Sequence, residues 1–441
     1  MIKRWWLLLC LITGCSWCFG ANEGPGEYHF KNPSAKAGWR TKVTLPEDCV
    51  EVSPTCVYSK AEKTVYLLAE MTGVGKGYET EFILLGPLSD RSYEGLAMSW
   101  DPPSVVSKAV KALGVTQGMP AEPLRGLAMA QGERFTMQIC LLDATPQSFR
   151  PLSDFITDDF SSPAQNLLGR GFPFVGGEDF DDLMPASIIA AYTEKASTFG
   201  LPFHAPKGNA YGLFRAKTAE REGAPAVVAL KWEALPNGLP RVHHATLHLT
   251  KTDLQKSDAL VGCLKGFCDD PRDVFLQVSF DPELTISEIT PLAKLFMALE
   301  AEDGFTLVAD PKGDLPLRAF LPQESWRVRE SRVFQPWEIE FQLGEAGTPP
   351  QATLCQILED WTVEGNDPAL TRSCYPNVTP QTVLNVMKQV DVNNGKIYVV
   401  FFYCPPQLQI GELLPYARVL SEACPTQWVF FMDTETNSAQ K

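Results

Sequence analysis

The chain has 441 residues, of which 45% are hydrophobic, and it carries a formal net charge of −15 at pH 7. That apolar fraction is sufficient for a large buried core, and about 150 residues per domain predicts two or three domains. A strongly acidic protein repels the phosphate backbone of nucleic acids, so we expect no nucleic-acid partner.

The first twenty residues are typical of an export signal. Lys3 and Arg4 give a positive start, and the apolar run from Trp5 to Ile12 follows. A membrane-spanning helix needs about 20 apolar residues, so this run is too short to span a bilayer and fits a signal peptide. We therefore predict a signal over residues 1–20 and a mature protein outside the cytoplasm.

Two processing sites are compatible with this signal. Residues 12–15 read Ile-Thr-Gly-Cys, a lipobox that in bacteria predicts a lipid on Cys15. The alternative is ordinary cleavage after Gly20, with Cys18 and Gly20 as the small residues. Either route predicts the periplasm or a membrane-anchored lipoprotein of a bacterial envelope, and we expect membrane contact only through the lipid.

Residues 21–145 show the pattern of a first α+β domain. The runs from Thr64 to Met71 and from Glu79 to Leu85 are apolar and β-prone, and the glycine-rich loop 73–77 between them predicts a hairpin. A helix is predicted to begin at Pro103 and to end at Gly114. A further strand is predicted from Arg134 to Leu142.

The middle of the chain is less regular. Residues 146–200 combine an irregular acidic excursion, rich in Asp, Gly, Pro and Phe, with a predicted helix from Met184 to Ser197. Residues 201–285 contain three β-prone runs, at 211–215, 226–232 and 242–249, with a Pro-Asn-Gly turn at 236–238. We predict a β-rich segment there.

The C-terminal third predicts two α/β units within residues 286–433, followed by a polar tail at 434–441. Thr290-Pro291 and Thr379-Pro380 each open a predicted helix that leads through a glycine into a strand. The similar order predicts a repeated βαβ-like unit, although chance similarity is a strong alternative because helix–strand units are common. The fold class expected for the whole chain is α+β, with small mixed sheets packed by helices.

Nine cysteines remain after cleavage at Gly20, which fits an oxidising compartment. Their spacing predicts local disulfides, although connectivity does not follow from sequence. The predicted pairs are Cys49 with Cys56, Cys263 with Cys268, Cys355 with Cys374, and Cys404 with Cys424. Cys140 then remains as a buried free thiol.

Few residue patterns in the chain point to a particular chemistry. His243, His244 and His248 lie close in sequence, but on a strand His244 and His248 are about 13 Å apart, too far to share a metal ion. The acidic runs at 154–159 and 178–182 lack the spacing of a calcium loop. We expect no metal and no cofactor.

One region resembles a known family. Four features are similar to the YdjY-like domain of bacterial envelope proteins: an opening strand at 58–70, a second strand at 78–82, the turn that contains Arg91, Tyr93 and Glu94, and a helix ending in Leu113-Gly114. The resemblance covers about residues 45–145 and implies a domain identity without a settled activity. The C-terminal third faintly resembles the periplasmic domains of ExbD/TolR-type biopolymer-transport proteins, from which no functional residue is carried over.

Two functions remain open on these observations. The first is a non-enzymatic envelope protein that binds or scaffolds a partner protein or a small ligand. The alternative is an envelope hydrolase that uses acidic residues in 146–182 or near Glu94. We expect Glu94 to be structural and to pair with Arg91, because no second titratable group lies close to it in sequence.

Overall fold

The computed structural model describes residues 28–121, 130–158, 168–177, 179–181, 186–191, 196–201, 214–255, 257–268, 270–291, 308–309, 337–345, 348–360, 369–390, 399–423 and 428–433. The predicted signal, with Cys15, lies outside them. The chain forms two compact units, each with its own core. The first comprises Met1–Glu122, Ala128–Val242 and Pro271–Asp273, and the second comprises Pro123–Leu127, His243–Asp270 and Val274–Lys441.

The first unit is built mainly from strands. Its elements are β1 (Val50–Ser53), β2 (Cys56–Ser59), β3 (Thr64–Met71), β4 (Phe82–Leu85), β5 (Gly95–Ser99), α1 (Pro103–Ala112), β6 (Arg134–Leu141), β7 (Arg150–Pro151), β8 (Ile156–Asp158), β9 (Phe172–Pro173), β10 (Ser187–Ala190), β11 (Ser197–Phe199), β12 (Phe214–Ala216) and β13 (Pro225–Trp232). Eleven of these strands form one mixed sheet in the order β11-β10-β4-β5-β3-β13-β6-β7, with β1, β2 and β9 paired beside that path. The strands β12 and β8 form a separate pair.

Strand β3 is buried at all eight of its positions. Its alternate side chains therefore need apolar partners on both faces of the sheet. Val65 and Leu67 join the large core that contains helix α1, while Tyr66 and Leu68 join a smaller core with Trp39. The segment before β1 supplies part of this second layer.

Glu70 fixes that segment to the sheet. Its side chain is fully buried, and its carboxylate accepts hydrogen bonds from the backbone N–H groups of Lys31 (2.8 Å) and Asn32 (2.7 Å) and from the Tyr28 hydroxyl (3.3 Å). A buried carboxylate is costly unless its oxygens are hydrogen-bonded. The backbone at 31–32 thus satisfies a charge that the sheet could not bury alone.

The second unit contains two smaller sheets and several helices. Its elements are β14 (Val242–Leu249), α2 (Lys251–Gln255), α3 (Ser257–Cys268), β15 (Asp273–Phe280), β16 (Val308–Ala309), β17 (Trp337–Gln342), β18 (Gln351–Asp360), β19 (Ala369–Tyr375), α4 (Pro380–Val390), β20 (Val399–Cys404), α5 (Ile410–Ala423) and β21 (Trp428–Asp433). The first residues of β14 and β15 belong to the first unit. The sheet orders are β14-β15-β16 and β19-β18-β17-β20-β21. The strands β17, β20 and β21 run parallel, and one apolar core joins the sheets to helices α4 and α5.

The α+β class is confirmed, with strands dominant. Strand β3 and helix α1 form where the apolar patterns predict them, and Gly114 follows α1 with a φ of 92°, a backbone conformation that glycine adopts readily. The loop 73–77 does not close a hairpin, because β5 lies between β3 and β4. The sequence could not show this insertion, since β5 follows both strands in the chain.

Two other expectations need correction. Ser187–Ala190 and Ser197–Phe199 are strands and not parts of one helix, because β10 is buried between β4 and β11, where its backbone finds partners. The predicted divisions at 145, 200 and 285 do not follow the compact units, because β13 lies between β3 and β6. Residues far beyond 145 thus complete the first core.

Cys355 and Cys374 form a disulfide across the paired strands β18 and β19, where the two residues are directly opposite. The pairs 49–56 and 263–268 are absent, and Cys49, Cys56 and Cys263 are free thiols. In the β1–β2 hairpin, Ser53 is the residue opposite Cys56. Cys49 precedes β1, at the other end of the hairpin, and is therefore not opposite Cys56. Residues 263 and 268 are about 7.5 Å apart along α3, beyond disulfide reach. Cys424 lies outside the described residues, so its pairing stays a prediction.

We expect the disulfide to stabilise the second unit mainly by restricting its unfolded chain. It joins residues 19 apart, a loop for which the chain-entropy estimate is about 3 kcal/mol. The double variant Cys355→Ala/Cys374→Ala should therefore lower the free energy of unfolding by about that amount in a denaturant titration. The matched control Cys263→Ala removes an exposed thiol and should leave the titration unchanged; an equal loss there would contradict the prediction.

Candidate functional site

Two glutamates meet at the start of neighbouring parallel strands. Glu81 directly precedes β4 and Glu94 directly precedes β5, and the register pairs Phe82 with Gly95. The backbone N–H of Glu81 donates a hydrogen bond of 2.9 Å to the carbonyl oxygen of Glu94. Because the strands are parallel, residues 13 apart in sequence begin them side by side.

A short 3-10 helix, Ser92–Glu94, presents the polar side chains around these glutamates. The Arg91 Nη1 atom donates to the Tyr93 hydroxyl at 2.9 Å and lies 3.6 Å from the Glu94 Oε1 atom. The Tyr93 ring is 50% exposed, although its hydroxyl is held by Arg91. We call Glu81, Arg91, Tyr93 and Glu94 the turn cluster.

The turn cluster contains a carboxyl group that is protonated at neutral pH. Burial is the largest cause that raises the pKa of Glu81, and a hydrogen bond to Glu94 and the charge of Glu94 add to it, while Arg91 opposes the shift. The result is a Glu81 pKa of about 8. Burial and the neighbouring Glu94 likewise raise the pKa of Tyr93 to about 12.

Each carboxyl group of the pair has a buried oxygen without a hydrogen-bond donor in the described part of the chain, as expected if the two groups share a proton. The Oε2 atoms of Glu81 and Glu94 are both buried, and no ordinary donor among the described residues reaches either atom. Two ionised carboxylates in contact would repel each other without compensation. A proton on Glu81 removes this repulsion and supplies the donor that the pair lacks.

The arrangement offers a partner several kinds of contact. Glu81 contributes a protonated carboxyl group, Glu94 a second carboxyl group, Arg91 a guanidinium and Tyr93 an accessible aromatic face. Tyrosine and arginine are the residue types that most often dominate binding energy at interfaces. Paired carboxyl groups with different protonation are also the usual acid and base of hydrolytic enzymes.

The expected Arg91–Glu94 pair is present, but Glu94 is not without a second acid. Sequence reasoning missed Glu81, which reaches Glu94 only through the parallel pairing of β4 and β5. A weak signal existed, since each glutamate stands immediately before a buried apolar strand. Without the sheet order, nothing in the sequence brings those two strands together.

The acidic excursion at 146–182 does not form a second acidic centre in its described part. Asp154 pairs with Arg150 at 3.1 Å, and Asp181 accepts hydrogen bonds from the backbone N–H and the hydroxyl of Ser104 at 2.8 and 2.6 Å. Asp181 therefore caps the first turn of α1 from a distant part of the chain. The remaining acids of the runs 154–159 and 178–182 have no described side chains, except Asp179.

The histidines and Cys140 do not converge on a common site. His243 Nδ1 lies 2.9 Å from Asp270 Oδ2, whereas His248 Nδ1 lies 2.9 Å from the Ser279 hydroxyl. Cys140 is buried on β6, and burial raises the pKa of its thiol, which opposes a nucleophilic role. His204 lies outside the described residues.

Two further arginines in the described chain pair with buried carboxylates. Arg134 donates to both carboxylate oxygens of Asp273, at 2.9 and 2.7 Å, in the interior of the first unit. In the second unit, Arg372 bridges the fully buried Glu338 (2.6 Å) and Glu340 (2.8 Å). Bidentate and bridging geometries of this kind offset the desolvation of a buried carboxylate, so both pairs have a structural explanation.

The comparisons with known proteins add no relative. No family model, no curated protein and no solved structure matches the chain. Among the described residues, none of the helices has the length and apolar character needed to cross a membrane. The same residues contain no group of three or more metal-ligating side chains with the geometry of a metal site.

Protonated Glu81 makes the stability of the first unit depend on pH. The folded pKa of about 8 lies above the ordinary value of 4.5, so the folded state binds more protons than the unfolded state between those values. The Glu81 contribution is therefore fully present below about pH 4.5 and is lost as pH rises through about 8. Glu81→Gln should flatten this fall, so that the variant gains stability relative to the wild type between pH 5 and pH 9 in thermal melts.

The matched control is Glu79→Gln. Glu79 is exposed, pairs with Arg215 at 3.0 Å and makes only the smallest contribution to the Glu81 pKa. We expect its melting temperatures to follow the wild type at both pH values. A pH dependence that is identical in the wild type and in Glu81→Gln contradicts the shared proton.

Proposed function

We propose that the chain is an exported, non-enzymatic protein of a bacterial cell envelope that binds an envelope partner or ligand through the turn cluster. The observation that carries this proposal is the half-exposed Tyr93 ring, whose hydroxyl is held by Arg91 beside a carboxyl pair. A side chain already fixed in place loses little entropy when it binds. Export rests on the Lys3-Arg4 start, the short apolar run and the processing sites that follow.

The family assignments are part of the same proposal. The turn cluster lies within residues 45–145, the region that resembles the YdjY-like domain. For the second unit we propose a repeated α/β unit of the ExbD/TolR type, whose second copy comprises α4, β20, α5 and β21. Most of the first repeat, from 292 to 322, lies outside the described residues.

An envelope hydrolase is the second candidate, and the Glu81–Glu94 pair favours it. A carboxyl group that is protonated at pH 7 beside a second carboxyl group could serve in general acid and general base catalysis. The binding proposal is preferred because the Tyr93 ring is the exposed part of the cluster, while both Glu Oε2 atoms are buried.

Binding can be tested on two probes. The first is purified peptidoglycan sacculi, and the second is a detergent extract of envelope proteins immobilised on a solid support. We expect Tyr93→Ala or Arg91→Gln to weaken retention of the protein about tenfold on one of these probes, the typical effect of an interface hot spot. The control Tyr78→Ala removes a 70% exposed tyrosine outside the turn cluster and should bind as the wild type does. Equal binding by the wild type and all three variants, or no binding to either probe, overturns the proposal.

The hydrolase is tested on the same sacculi by the release of soluble sugar or peptide. Glu94→Gln should lower stability by at most about 1 kcal/mol, as for a partly exposed ion pair. Release by the wild type that is abolished in a folded Glu94→Gln protein establishes the enzyme instead of the binding protein.

The proposed attachment of a lipid to Cys15 can be tested separately. If Cys15 carries a lipid, Cys15→Ala should move the protein from the membrane fraction to the soluble fraction, because a single attached lipid and its neighbouring contacts are what retain it. A soluble wild-type protein whose first residue is Ala21 would falsify lipidation and establish ordinary cleavage.

A further inference from the structure

The segment from residue 28 to residue 46, here the basic segment, has a charge unlike the rest of the chain. It contains Lys31, Lys36, Arg40 and Lys42 and no aspartate or glutamate, in a protein whose net charge is −15. Such a local excess of positive charge within an acidic chain points to an anionic partner, since the protein as a whole would repel one.

The basic segment is held on the first unit and is not a free tail. Ala35, Trp39 and Val43 face inward and are buried, and the Trp39 indole N–H donates to the carbonyl oxygen of Pro54 at 3.0 Å. Glu70 binds the backbone of the segment at Lys31 and Asn32. Its basic side chains are therefore presented from a fixed surface.

The charges of the basic segment remain accessible. Lys31, Lys36 and Lys42 are exposed, and Lys36 lies with its Nζ atom 4.2 Å from the centre of the Trp100 ring. Glu222 lies 3.4 Å from Lys31, and Glu51 lies 2.9 Å from Arg40. These exposed ion pairs are weak, so an anionic headgroup can compete with either glutamate for its basic partner.

The position of the basic segment in the chain selects its partner. Only twelve residues separate Cys15 from Tyr28, a distance of about 47 Å at most when fully extended. Basic residues that follow a membrane anchor closely are attracted to anionic lipid headgroups, and a single lipid needs such a second signal for stable attachment.

We propose that the basic segment docks the first unit on the anionic phospholipid headgroups of an envelope membrane. This inference goes beyond ligand binding by the turn cluster, but it rests on the proposed envelope location. It replaces the expectation that the lipid on Cys15 is the only membrane contact. It also predicts membrane affinity for a chain that has lost residues 1–20 and carries no lipid.

The test uses residues 21–441 and co-sedimentation with vesicles of phosphatidylglycerol and phosphatidylethanolamine or of neutral phosphatidylcholine. We expect binding to the anionic vesicles alone, weakened as salt is raised. The variant Lys31→Gln/Lys36→Gln/Lys42→Gln should bind about a hundredfold more weakly, at roughly fivefold for each lysine. The same three positions changed to Arg should restore binding.

A matched control separates a local surface from net charge. Lys76, Lys108 and Lys231 are also exposed in the first unit, and their replacement by Gln changes the net charge equally. This control should bind as the wild type does. An equal loss in the control, failure of the wild type to bind anionic vesicles at low salt, or binding to soluble heparin without binding to vesicles overturns the proposal. Because the turn cluster is unchanged in these variants, Tyr93-dependent binding remains a separate result.

Discussion

The burial of strand β3 on both faces is the constraint on which the first unit depends. Eight consecutive buried positions require two apolar layers, one supplied by α1 and the large core and one by Trp39 and its neighbours. Glu70 belongs to this strand, so its carboxylate must be satisfied in the interior, and the backbone at Lys31 and Asn32 meets that need. The N-terminal segment is consequently a structural layer, which is why its lysines form a fixed surface.

The same strand also determines where the turn cluster lies. Strand β5 pairs with β3 on one edge and runs parallel to β4 on the other, so the polar residues before β4 and β5 come together at one end of the sheet. A parallel pair brings like ends of strands side by side. Two glutamates there would repel each other as ions, and burial resolves the conflict by retaining a proton on Glu81.

Local sequence patterns predicted two kinds of element. These are helices, whose backbone hydrogen bonds lie within the helix, and strands that have a regular apolar pattern. Residues 64–71 and 226–232 became strands, and the proline at 103 and the glycine at 114 mark the limits of α1. Prediction failed where long-range pairing decided the outcome. Residues 184–197 have helical spacing, yet β10 and β11 form because β4 offers an unpaired edge. The 263–268 disulfide failed because both residues lie on one helix, and the spacing of cysteines carries no information about that geometry.

The sequence by itself determined the composition class, the acidic charge, the run of basic residues between 31 and 42, and the positions of the strongest strands and helices. These properties depend on residue type and short-range periodicity, which any single chain displays. Only the tertiary structure decided that β13 completes the first sheet, that Cys355 faces Cys374, and that Glu81 shares its surroundings with Glu94. Each of these depends on the order in which strands pair, and strand pairing is set by the simultaneous burial of segments that are far apart in the chain.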